Sequence, residues 1–202
     1  MRLRTRWSNL LATIGCHQHS RSHVFLSIFS HLEGIQSDDS RQVVYDIDGD
    51  SATFGASTID GPALHWVITD TVSEEALLSA RVYTEPRLSW IIRCDRVDFP
   101  PGGVAYRHTH PGPGIRCLLF GELTVETEGH ETTHGPLDAW FESGPDPVVA
   151  TASASVATAF VRVMLLPAKW AGKRTIQYVD PADAQRPKRQ TARVYFDEPV
   201  QL

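Results

Sequence analysis

The 202-residue chain is 42% hydrophobic and carries a formal net charge of −5. That is enough apolar material for one domain with its own core. The acidic balance argues against nucleic acid as a partner, which needs a basic surface, and no segment has the apolar length to cross a bilayer as a helix. The basic residues Lys169, Lys173, Arg174, Arg186, Lys188 and Arg189 are interleaved with Asp180 and Asp183 and read as a solvated surface.

Residues 1–40 read as an N-terminal extension, poorly ordered or helical. Arg2, Arg4, Arg6 and Arg21 occur among serines, with no acid before Glu33. Three readings stand: a transit-type presequence, a secretory or lipoprotein signal ending at Ile14-Gly15-Cys16, or an untethered extension from a start codon placed too early. In each case removal of residues 1–32 is expected to leave a folded domain. Cys16, Cys94 and Cys117 form no C-x-x-C pair and no disulfide framework. A reducing, cytoplasmic setting is therefore expected, with export or organelle targeting as the alternative. Cys94 and Cys117 lie in apolar runs and read as packing residues.

From residue 41 to 202 the pattern is that of short strands between breakers. Val43–Tyr45 precedes an Asp-Gly-Asp turn. Leu64–Thr69, Ala80–Tyr83 and Leu88–Phe99 follow, then Val104–His110 and Ile115–Phe120 on either side of Pro111-Gly112-Pro113-Gly114. Glu122–Glu126, Glu131–His134, Ala139–Glu142, Val148–Ala152 and Val156–Leu166 continue the series. Such spacing predicts an all-β sandwich or barrel. A helical turn or two is expected at Ser73–Leu78 and one at Pro181–Ala184. Thr175–Val179 and Thr191–Phe196 are expected as late strands docked outside the barrel.

Alternate residues of a strand share a face, so His108 and His110 are expected to point together, with Tyr106 and Val104 beside them. Two converging neutral imidazoles are half of a site for Fe, Mn, Ni or Zn. The stretch from Gly102 through His108, His110 and Gly114 to Gly121 resembles the first motif of the cupin superfamily: Gly, five residues, His-x-His, three or four residues, Glu, six residues, Gly. The resemblance covers Leu88–Leu166 and implies a double-stranded β-helix, the jelly roll, with its barrel core over 88–166 and a homodimer as the expected assembly. The sequence also departs from the motif. The family's metal-binding Glu falls at Gly114, and its last ligand, a His, falls at Val148. Glu142 and His134 are the candidates to complete a weakly held divalent metal site. Arg116 and Arg162 are candidate forks for a ligand carboxylate, with Tyr106 and Trp140 as further pocket residues.

Three functions are consistent with this: a barrel binding a small, anionic organic ligand; a metal-dependent enzyme (dioxygenase, isomerase or lyase) using His108 and His110; or a dimeric scaffold without catalysis.

Overall fold

The computed structural model describes residues 22–187 and 190–202. The readings placed on residues 1–21, Cys16 included, lie outside the described residues, as do Lys188 and Arg189.

The strands in chain order are β1 (Ser22–His31), β2 (Ile35–Ser37), β3 (Gln42–Asp46), β4 (Ser51–Phe54), β5 (Ser57–Ile59), β6 (Ala63–Thr69) and β7 (Leu78–Thr84). Next come β8 (Trp90–Phe99), β9 (Val104–Thr109), β10 (Gly114–Phe120), β11 (Leu123–Thr127) and β12 (His130–His134). The series ends with β13 (Ala139–Glu142), β14 (Val148–Ala152), β15 (Thr158–Pro167), β16 (Gln177–Tyr178) and β17 (Thr191–Val200). They form three five-stranded sheets, ordered β4-β3-β6-β1-β7, β13-β10-β15-β8-β17 and β12-β11-β14-β9-β16, plus the β2–β5 ribbon.

Between β8 and β15 the chain pairs from the outside inward. β8 pairs with β15, β9 with β14, β10 with β13 and β11 with β12, all antiparallel. A long hairpin wound up in this way is the double-stranded β-helix of a jelly roll. The second sheet lies between the other two. Ile92, Cys94, Ile115, Cys117, Val161, Val163 and Leu165 pack against Leu26, Ile28, Val43, Tyr45, Leu64 and Trp66 of the first sheet. On the opposite face Val97, Phe99, Leu118, Trp140 and Phe160 meet Ala105, Leu123, Val125, Ala150 and Ala152 of the third. Covering on both faces is why β15 is a nearly unbroken apolar run, buried from Thr158 to Leu166. Cys94 and Cys117 are buried free thiols in the first interface, and burial pushes Cys117 up to about 12.

The expected extension over 1–40 needs correction. β1 and β2 lie inside it, and β1 is an interior strand, flanked by β6 and β7 over seven residue pairs each. Residues 22–40 are therefore part of the fold. The expected helical turns at Ser73–Leu78 are absent: Leu78 already opens β7. Pro181–Gln185 does form a 3-10 turn, capped by the Asp180 carboxylate accepting from the Ala182 N–H at 2.8 Å. The late strands appear as β16 and β17, extending the third and second sheets at their edges instead of forming an outer layer.

Candidate functional site

Cross-strand register assembles a polar row on the face of the second sheet that looks toward the third. Asp95 lies opposite Arg162, Arg162 opposite Arg116, and Arg116 opposite Trp140. Two adjacent buried guanidinium groups repel, so each needs its own carboxylate. Arg162 forks onto Asp95 through Nε (2.6 Å) and Nη2 (3.1 Å). Arg116 Nη2 lies 2.6 Å from Glu142 Oε2, and its Nη1 donates to the Gly114 carbonyl at 2.6 Å. The Trp140 indole N–H donates to the other Glu142 oxygen at 3.0 Å. Glu142 is itself the cross-strand partner of Gly114. A side chain at 114 would run into the Val163 carbonyl, 2.4 Å from an ideal Cβ, so this close approach requires glycine. The carboxylate that the motif resemblance places at 114 is thus supplied from the neighbouring strand.

His108 lies in β9, which carries a bulge, and His110 directly follows the strand. Val148 faces His108 while Ala150 faces Ala105, so β9 has one residue more than β14 over this stretch. The extra residue lets Ala105 and His108 both face inward and turns Tyr106 away, where Arg186 lies over its ring at 3.9 Å. The Tyr106 carbonyl in turn takes the His108 Nδ1–H at 2.6 Å, which leaves Nε2 of His108 as an acceptor. That Nε2 lies 3.2 Å from Nε2 of His110, and Nε2 of His110 also faces Arg162 Nη1 at 3.2 Å.

Asp95, Arg162, Trp140, Glu142, His108 and His110 line one end of a cavity of about 490 Å³ between the second and third sheets. The rest of its wall is largely apolar, from Val97, Phe99, Leu123, Val148 and Phe160, and the segment from Gly172 to Ile176 closes one side.

Burial holds both imidazoles neutral. His110 is pushed well below its ordinary value by burial, then by the charges of Arg162 and Arg116. His108 is lowered by burial, against the backbone hydrogen bond to Tyr106. Burial also draws Arg116 down to about 10, with Glu142 opposing it. In the unfolded chain each imidazole protonates near ~6.5. The stability tied to neutral burial is therefore complete above that pH and is lost as pH falls, at ~1.4 kcal/mol per unit for each group until its folded value is reached. Denaturant unfolding is expected to show stability falling as pH drops below ~6.5, with His65, drawn down to about 4 by burial, adding to the loss from the pair. A profile that stays flat to pH ~5 contradicts neutral burial of the pair.

Two ligating nitrogens 3.2 Å apart have the spacing of adjacent ligands on one ion at the usual ~2.0–2.1 Å bonds. The surroundings do not complete such a centre. Among the described residues no group of three or more His, Cys, Asp or Glu side chains is arranged to hold a metal. Glu142 Oε2 is 3.7 Å from His110 Nε2 and engaged by Arg116, and a second guanidinium faces His110 directly. Val148, opposite His108, offers no donor. The residues present do not fit a tightly held metal.

Of the sequence-predicted residues, His108, His110, Glu142, Trp140 and Arg162 come together at the cavity. Three do not face it as expected. Tyr106 is turned out by the bulge and serves through its carbonyl. Arg116 is fully buried behind the wall, spent on Glu142 and Gly114. His134 stacks on Trp140 at 4.5 Å instead of reaching the pair. Sequence reasoning missed Asp95, Arg93, Asp197 and the 172–176 segment. The alternation of Arg93 and Asp95 with Ile92 and Cys94 in β8 was the available signal for the first two.

No protein-family model matches the sequence, and no curated protein matches it. Some solved structures align with parts of it. A salicylate 1,2-dioxygenase variant from Pseudoaminobacter salicylatoxidans, in complex with gentisate, is 10% identical, with 75% of this chain and 71% of that one covered and a TM-score of 0.46. AerE from Microcystis aeruginosa is 12% identical, with 72% and 88% covered and a TM-score of 0.44. A cupin superfamily protein from Desulfitobacterium hafniense is 10% identical, with 42% and 73% covered and a TM-score of 0.35. The ladder of paired strands defines the jelly roll.

Proposed function

We propose that this cupin-fold barrel binds a small organic acid, its apolar body among Phe99, Trp140, Phe160 and Leu123 and its anionic group toward the mouth. The observation that carries this reading is the distribution of charge around one largely apolar cavity. Arg93, Arg162 and Arg116 are each matched by a carboxylate, Asp197, Asp95 and Glu142 respectively. Lys173 and Arg174, which line the cavity with Arg93 and Arg162, have no ion-pair partner among the described residues. They leave the mouth cationic, which favours an anion. At the deep end the tautomer of His108 leaves an acceptor nitrogen, so the ligand's buried end carries a hydrogen-bond donor such as a hydroxyl.

The same nitrogen supports a second, catalytic reading, in which His108 takes the proton of that hydroxyl while the neighbouring arginines stabilise the oxyanion. No metal enters either reading.

Calorimetric titration with 4-hydroxybenzoate and with the neutral 4-hydroxybenzyl alcohol tests the first reading. The acid is expected to bind and the alcohol to bind at least ~10-fold more weakly, a difference of ~1.4 kcal/mol. Replacing Lys173 and Arg174 together with Ala, at exposed positions, is expected to remove most of that discrimination. Equal binding of acid and alcohol by the parent, or discrimination untouched in the double variant, rejects the assignment.

A further inference from the structure

The segment Trp170–Thr175 crosses from the end of β15, in the second sheet, toward β16, at the edge of the third, and borders the cavity on the way. One ion pair ties three of its backbone groups to the second sheet. Arg93 Nη1 donates to the Lys173 carbonyl at 2.8 Å and Nη2 to the Trp170 carbonyl at 3.2 Å. Asp197 Oδ2 accepts the Gly172 N–H at 2.7 Å. Arg93 and Asp197 lie opposite each other on β8 and β17 and are joined by a fork at 2.5 and 2.6 Å. One ion pair, with side-chain exposures of 3% and 13%, thus holds two carbonyls and one N–H of a strap whose residues from Ala171 to Arg174 are exposed. Inward, the strap faces the cavity through Gly172, Lys173, Arg174 and Thr175. Gly172 sits at φ +67° with open space around it, so its turn depends on glycine and on the latch.

We propose that Trp170–Thr175 is the entrance strap of the cavity and that Arg93 and Asp197 are positioning residues that latch it shut. The inference rests on the reading of the cavity as a binding site. A charge-assisted latch on an exposed segment opens locally without unfolding the sheets, because Ala171 to Arg174 are exposed and belong to none of the buried clusters, while Trp170 and Thr175 stay anchored at the two ends. Opening carries Lys173 and Arg174 away from the cavity, so an anion held by them favours the closed strap.

Carbethoxylation by diethyl pyrocarbonate at neutral pH reads access directly, since it modifies unprotonated imidazole and needs no ligand. Peptide mapping is followed over time in the full chain, in Asp197→Asn and in Gly172→Ala. Loss of the latch is expected to speed modification of His108 and His110 by about tenfold in Asp197→Asn. Strain in the strap alone is expected to speed it by about fivefold in Gly172→Ala, which leaves the ion pair in place and guards against a variant that fails to fold. His23 and His130, both exposed, are the controls and keep their rates. Cavity histidines that react equally in all three proteins, or that already react as fast as His23 in the parent, overturn the proposal. So does a rise at the control histidines in step with the cavity pair. A failed titration with 4-hydroxybenzoate rejects the ligand assignment instead and leaves this readout intact.

Discussion

A chain beginning at residue 33 is expected to express as aggregated or unfolded protein. The truncation removes β1, which is hydrogen-bonded on one side to β6 from Phe25–Thr69 to His31–Ala63 and on the other to β7 from Ser22–Thr84 to Ile28–Leu78. Leu26 and Ile28 are fully buried and Val24 nearly so, all three against the second sheet. Burial of three such side chains stabilises by ~1.5–3 kcal/mol each, a sum comparable with the ~5–15 kcal/mol of a whole domain. The loss would also strip the ladder bonds from β6 and β7 together and leave two new edges. Size-exclusion chromatography and near-UV circular dichroism of the 33–202 chain check this. A monodisperse product unfolding at the parent's temperature would falsify the interior placement of β1. Leu26→Ala in the full chain is the milder version and is expected to cost ~2–5 kcal/mol.

That strand was also the hardest to see in the sequence. Its inward residues Val24, Leu26 and Ile28 alternate as a strand should, but Phe25 and Phe29 occupy the other face and blur the period. It also follows directly on an Arg- and Ser-rich stretch, and its partner β6 lies some forty residues downstream in the chain. From β8 onward the strands were legible because Gly and Pro separate runs of regular length, and because both faces of the middle sheet are covered. The site was half legible. Strand parity brought His108 and His110 together, but the same parity failed at Tyr106, where the bulge adds a residue that spacing alone does not reveal. The pairing of Gly114 with Glu142, and the row Asp95–Arg162–Arg116–Trp140, exist only through cross-strand register. Nothing local in the sequence encodes that register.

The row also yields the largest single-residue effect expected at the site. Arg162→Met is expected to destabilise by ~3–5 kcal/mol, because it leaves the nearly buried Asp95 carboxylate without its charge partner. Asp95 is 1% exposed, and the Arg162 fork occupies both of its oxygens. Pairing Arg162→Met with Asp95→Asn removes the stranded charge, so the double variant is expected to recover ~2 kcal/mol or more of that loss. The two residues are cross-strand neighbours, so their effects should not add. His110 supplies an independent reading of the same change. The Arg162 charge is among the causes that hold His110 below its ordinary value, second only to burial. Removing it should therefore move the His110 titration upward, seen in the ring proton shifts by NMR. Denaturant unfolding of the parent, both single variants and the double variant closes the cycle. A double variant as unstable as Arg162→Met alone would show that the loss comes from the missing packing of the arginine stem and not from the uncompensated charge. An unmoved His110 would show that the guanidinium does not set the electrostatics of the histidine pair.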